Sequence, residues 1–141
     1  MIEDEGELAR IVREAKTVVV LGMKDESEPD ASAYEIPVVL QKHGMRVIPV
    51  NPKLTTALGE KAYRTIGAVP ERADILDVFR RSEAIGMHVD EVLAMPPELR
   101  PRVFWMQTGV QNDAEAARLE KAGVPVVSDR CLGVYATRFR R

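Results

Sequence analysis

Val18, Val19, Val20 and Leu21 form an unbroken apolar run that Gly22 stops. A β-branched run without polar alternation reads as a strand buried on both faces, at the centre of a parallel sheet. The rest of the chain then has to build a sheet beside that strand. A polar loop, 24–30, follows Gly22. A strand that ends in glycine and feeds a helix is where an α/β sheet receives a phosphate-bearing ligand.

The flanking sequence supplies the other elements. Leu8, Ile11, Val12 and Ala15 share one helical face, and acidic residues crowd the start of that segment while Arg13 and Lys16 close it. A leading helix over 3–16 is expected, complementary to its own dipole. The strand 17–21 follows. A second helix ends at His43, with Gly44 as its cap and Val38, Val39 and Leu40 on its packing side. Asp30 and Ser32 are N-cap candidates, but Pro37 is comfortable only in a first turn, so the helix starts near Tyr34 or starts earlier and bends.

Residues 45–50 read as a second strand, which Pro49 assigns to a sheet edge or confines to a strand end. Segment 54–70 reads as loop with short helical turns. A third strand is expected over 74–79, and Ser82 is placed to cap a helix over 83–95 that Pro96-Pro97 breaks. A fourth strand covers 103–106. Asn112 can cap a helix over 113–122, closed by Gly123, and a fifth strand covers 124–127. A loop, 129–133, and a basic tail, 138–141, finish the chain.

Strands alternating with helices at this spacing predict an α/β fold, a doubly wound parallel five-stranded sheet of Rossmann-like form in a single domain, 1–141. Right-handed crossovers gather the turns 22–32, 51–53, 79–82, 107–109 and 129–133 at the C-terminal ends of the strands. Four of these five turns carry a lysine or arginine, which points to an anion crevice.

Bulk properties narrow the partners. At 141 residues the chain suits one domain with a complete core. Twenty basic against 22 acidic residues leave a net charge of −2, which argues against binding nucleic acid by bulk charge. A single cysteine permits no intramolecular disulfide and makes a reducing cytoplasmic compartment the default. No stretch is long and apolar enough for a membrane span, and the acidic N-terminus lacks the form of a signal peptide.

The chemistry is narrowed by what the turns lack. The first turn, Gly22-Met23-Lys24-Asp25-Glu26-Ser27, has one glycine where the dinucleotide fingerprint needs three. Asn51-Pro52 stands where that fingerprint wants an acidic residue, and no Walker motif is present. His43 and His88 have no partner at metal-ligand or catalytic spacing and read as packing or surface residues. Cys131 reads either as a small half-buried hydrophobe or as a thiol beside Arg130, which would favour the thiolate. Asp74 and Asp77 flank a strand and either serve as bases or end the strand and pair with nearby arginines. Arg80 and Arg81 are either a solvated loop or ligand groups at a strand end, and Lys53 has the latter placement. Phe104 and Trp105 are core.

Six segments, VVVLGMK (18–24), GMRVIPVNPK (44–53), ALGEKAY (57–63), DILDVFRRSE (74–83), VFWMQTGV (103–110) and DRCLGV (129–134), resemble the small stand-alone coenzyme A-binding proteins. These are similar to the N-terminal CoA-binding domain of the succinyl-CoA synthetase alpha subunit. The likeness runs over about 7–134. It implies that Gly22, Met23 and Lys24 wrap the phosphates, with Ser32 and Ala33 at the start of the next helix. It further implies that Asn51-Pro52-Lys53 brings a lysine to the nucleotide phosphates. Phe79, Arg80 and Arg81 would flank the adenine or its 3′-phosphate, and Gln107, Thr108 and Gly109 would line the pantetheine path. Arg130 and Cys131 would match the Asn-Cys of the synthetase's Pro-Asn-Cys-Pro-Gly loop. CoA carries three phosphates and so wants helix N-termini with Lys and Arg. The first turn departs from the synthetase, being acidic at Asp25, Glu26, Glu28 and Asp30, so those carboxylates must point away from an anion. Ala33 replaces a serine that many stand-alone relatives carry. The synthetase's second domain, with its phosphorylated histidine, has no counterpart among these segments, so ligase chemistry is not implied.

The resulting expectation is a domain that binds CoA or an acyl-CoA in a crevice at the strand ends, without catalysis of its own. The alternatives are a small thiol-dependent acyl-transfer enzyme using Cys131, or a docking domain for a protein partner with a vestigial crevice.

Overall fold

The computed structural model describes residues 1–140; Arg141, at the end of the expected basic tail, lies outside the described residues. The strand expected from the valine run is β1 (Thr17–Leu21), an interior strand of the sheet, second from its edge rather than at its centre. With β2 (Arg46–Val50), β5 (Ile75–Val78), β6 (Phe104–Met106) and β7 (Val126–Val127) it forms a five-stranded parallel sheet of order β2-β1-β5-β6-β7. The short strands β3 (Thr56–Ala57) and β4 (Glu60–Lys61) form a separate antiparallel hairpin inside the segment expected to be loop.

Alternate residues of each central strand enter opposite cores, which is why these strands are apolar throughout. Val19, Leu21, Leu76, Val78, Phe104 and Met106 pack on α3 (Ile85–Ala94) and α4 (Asp113–Lys121). Val18, Val20, Ile75 and Trp105 face α1 (Glu5–Glu14), α2 (Ser32–Lys42) and α5 (Leu132–Phe139). Trp105 is fully buried, its ring edge-on to Tyr135 at 5.6 Å, and its indole N–H donates to the Arg130 carbonyl at 2.8 Å.

Local signals placed most element ends. Asn112 caps α4 by accepting from the Glu115 amide, as its position predicts. Pro49 lies in β2, an edge strand, where its missing donor costs no ladder bond inside the sheet. The leading helix is shorter than expected, because the Asp4 side chain caps it by accepting from the Glu7 amide.

Three expectations are corrected. Ser82 caps no helix: a 3-10 turn, Ser82–Ala84, precedes α3, and the Ser82 hydroxyl instead accepts from the Gln111 amide at 3.0 Å. The helix α2 takes the earlier of the two expected starts, at Ser32 behind Ala31 with Pro37 within it, but neither Asp30 nor Ser32 caps it through its side chain. The chain end is helical where a loop and a basic tail were expected. Leu132, Tyr135, Ala136 and Phe139 carry the i, i+3, i+4, i+7 spacing that marks α5. Arg140 completes this end by donating to the carbonyls of Val12, Arg13 and Ala15 at the end of α1.

Candidate functional site

From β1 the chain moves outward to β2, then crosses back to β5 on the other side of β1. The loops after β1 and β5 therefore leave their strands in opposite directions, and a crevice opens between them. This is the position at which open α/β sheets take ligands. The crevice has a volume of about 940 Å³ and is lined by residues that follow β1 (Ser32, Ala33, Ile36), β5 (Phe79, Arg80, Arg81, Ala84), β6 (Gln107, Thr108, Val110) and β7 (Cys131). Sites for small molecules and cofactors span about 300–1,000 Å³.

Gly22 makes this convergence feasible. Its φ of +81° is left-handed, and a Cβ there would run into the carbonyl oxygen of Phe79. Only glycine lets the two loops approach so closely. The Gly22 amide donates to Val50 and the Phe79 amide to Leu21, both at 2.9 Å, so three strand ends are fastened together beneath the crevice.

The electrostatics favour an anion. The starts of α2 at Ser32, of α3 behind Ala84 and of α5 behind Cys131 all meet the crevice. Each brings the positive end of a helix dipole, and α2 and α5 also bring first-turn N–H groups without helical partners, whereas the Ile85 amide of α3 is bonded to Ser82. Arg80 and Arg81 are exposed there and form no ion pair among the described residues.

The acidic residues of the first loop are turned elsewhere. Asp25 accepts from the Ser27 amide and hydroxyl, Glu26 from the Leu58 amide at 3.1 Å, and Glu28 pairs with Lys24 at 3.8 Å. Asp25, Glu26, Glu28 and Asp30 are all absent from the crevice lining.

The structure sorts the residues singled out in the sequence. Ser32, Ala33, Phe79, Arg80, Arg81, Gln107, Thr108 and Cys131 come together in the crevice. Ile36, Ala84 and Val110 join them. Ile36 was legible four residues beyond Ser32, on the same helical face, but the other two carry no polar signal. Gly109 is at the exposed end of β6, where its amide donates to Asp129 at 2.7 Å.

Others serve the scaffold. Met23 is fully buried in the core, and its carbonyl accepts from the Asn51 side-chain amide at 2.8 Å. Asn51 also accepts from the Lys53 amide, so it ties the loop after β2 to the loop after β1. Pro52 and Lys53 are exposed outside the crevice lining. Arg130 points away from the crevice, donating to the Tyr135 hydroxyl at 3.1 Å and lying 3.8 Å from Glu5. Asp74, at the opposite end of the sheet, accepts from the amides of Lys16 and Thr17, which gives it a structural role rather than that of a base. His43 bonds the Arg140 carbonyl and His88 bonds Glu91, so both histidines are engaged away from Cys131.

One polar pair lies in the core. Asp77, at the centre of β5, is fully buried, and its Oδ1 accepts from the Gln107 side-chain amide at 2.8 Å. Its Oδ2 has no partner among the described residues. Burial pushes its carboxyl up to about 7, against smaller opposing effects of hydrogen bonds from Gln107 and the Val78 amide.

Comparison with known proteins places this architecture in a family. The profile of a family described as a CoA binding domain matches residues 16–137. An uncharacterised protein of Bacillus subtilis, YneT, is 33% identical over 130 residues, 92% of either chain. The solved structure of a Thermus thermophilus protein, cell-free ID.343, superposes with a TM-score of 0.87 at 37% identity, covering 97% of this chain and 99% of that one. The fold recurs in a dinucleotide-forming acetyl-coenzyme A synthetase of Ca. Korarchaeum cryptofilum, solved with phosphate and ADP. There the TM-score is 0.66 at 18% identity, over 84% of this chain and 26% of that one.

Proposed function

The chain belongs to the CoA binding domain family, and from that premise we propose that it binds coenzyme A or an acyl-CoA in the crevice between β1 and β5, without catalysis of its own. One observation carries the placement: the starts of three helices and two unpaired arginines converge on one crevice of cofactor size. Phosphates take the N–H groups of Ser32 and Ala33 and the guanidinium groups of Arg80 and Arg81. Phe79 offers its half-buried ring to the base. The uncharged remainder of the ligand then lies along Gln107, Thr108, Val110 and Cys131, where no charged side chain lines the wall.

Isothermal calorimetry with CoA, 3′-dephospho-CoA and NAD tests this reading. Binding of CoA that weakens on loss of the 3′-phosphate is the expected result. Heat with NAD and none with CoA would overturn it.

A further inference from the structure

The geometry points to Asp77 as a positioning residue that fixes which end of the Gln107 amide faces the crevice, so that Gln107 selects a ligand bearing an amide N–H. This inference rests on the CoA reading above and deepens it.

Asp77 stands on β5 and Gln107 just beyond the end of the adjacent parallel strand β6, on the same face of the sheet. Asp77 pairs in register with Val20 on one side and Trp105 on the other, and Gln107 follows two residues after Trp105. Both are almost wholly inside, with Asp77 fully buried and Gln107 4% exposed. Gln107 nevertheless lines the crevice, so the pair spans from core to ligand wall. The Gln107 amide nitrogen donates to Asp77 Oδ1 and is therefore turned inward, an orientation that the ionised carboxyl, having only acceptors, enforces. The amide oxygen is then presented to the crevice as an acceptor.

That polarity has a chemical consequence. At the uncharged end of the crevice a fixed acceptor rewards an N–H donor and penalises a ligand group that can only accept. The arm of CoA contains two secondary amides, each with one N–H. Without Asp77 the Gln107 amide could present either end and would lose this selectivity. A carboxyl in the middle of an apolar strand costs stability, and its one side-chain partner is a residue of the ligand wall.

The test compares CoA with 3′-phosphoadenosine 5′-diphosphate, which keeps the three phosphates and lacks the arm, by calorimetry on the full chain. Wild type should bind CoA more tightly than the truncated ligand. Asp77→Leu, of similar volume, and Gln107→Leu should each weaken CoA about tenfold, as one lost hydrogen bond does, and leave the truncated ligand unchanged. Asp77→Asn offers Gln107 both an acceptor and an N–H, so either orientation of the amide stays paired and CoA affinity should fall by no more than about twofold. The double Leu variant should lose no more than either single one. Equal losses for both ligands would reduce Asp77 to a structural role and overturn the inference, as would an Asp77→Asn variant as weak as Asp77→Leu. Wild type binding both ligands equally would overturn the inference and leave the CoA site standing. Wild type binding neither would overturn both.

Discussion

The carbonyl of Ala33, in the first turn of α2, accepts its hydrogen bond from the amide of Lys24 in the preceding loop, at 3.0 Å. Within a regular helix that carbonyl would serve the residue four positions on. Here that residue is Pro37, which has no N–H. The proline that looks like an obstacle to the helix therefore leaves an acceptor with which the crevice loop is anchored.

Pro37→Ala tests this anchoring. The new amide competes for Ala33, so the Lys24 amide should exchange its hydrogen about tenfold faster and CoA binding should weaken as the loop loosens. Exchange at Lys24 indistinguishable from wild type would mean that the Ala33 carbonyl serves both donors.

Gly22→Ala should destabilise the protein by roughly 2–4 kcal/mol, since it combines a left-handed backbone with a collision against the Phe79 carbonyl. Urea unfolding measures it. A loss below about 0.5 kcal/mol would show that the two loops can separate at little cost, within the range of an ordinary surface change.

Arg80→Ala and Arg81→Ala should each weaken CoA about tenfold or more while leaving the unfolding midpoint unchanged, because both side chains are exposed and form no ion pair among the described residues. Lys53→Ala should matter less, since Lys53 is outside the crevice lining. Calorimetry on the three variants ranks them. A larger effect at Lys53 would favour the role that the family resemblance implies for it over the placement described above.

Asp77 makes stability depend on pH with an unusual sign. Its folded-state value of about 7 lies above the ordinary carboxyl value of 3.8, so between them the folded protein holds a proton that the unfolded chain has released. The contribution of this group is greatest below about pH 4 and is lost as pH rises toward 7. Asp77→Asn removes it, so the variant should gain on wild type by on the order of 4 kcal/mol between pH 4 and pH 8. Paired urea unfolding curves at the two pH values read this difference. A gap independent of pH would show that the carboxyl titrates as an exposed one does.

The family and the fold class were legible in the chain because their signals are local. The valine run ending in Gly22, the cap at Asn112 and the glycines after α2 and α4 each act within a few residues. Half of the residues singled out as ligand groups line the crevice for the same reason: residues just beyond a strand end, such as Arg80, Arg81 and Gln107, reach the crevice whenever that strand lies beside its opening. Met23, Lys53 and Arg130 share that sequence position and do not line it.

What separates the two groups is contact over long chain distances. Met23 turns into the core while Asn51 holds its carbonyl from 28 residues away. Arg130 turns outward toward a Tyr135 hydroxyl that is also bonded to Glu5, 130 residues away. The sequence by itself determined that strands and helices alternate and that polar turns gather at one end of a parallel sheet, because backbone preference and apolar periodicity are local properties. The tertiary structure decided that β1 and β5 would be neighbours, that the acidic loop would face away from the crevice, and that a buried carboxylate would sit under Gln107. Those outcomes depend on which distant groups can satisfy one another once water is excluded, and no neighbouring residue specifies that.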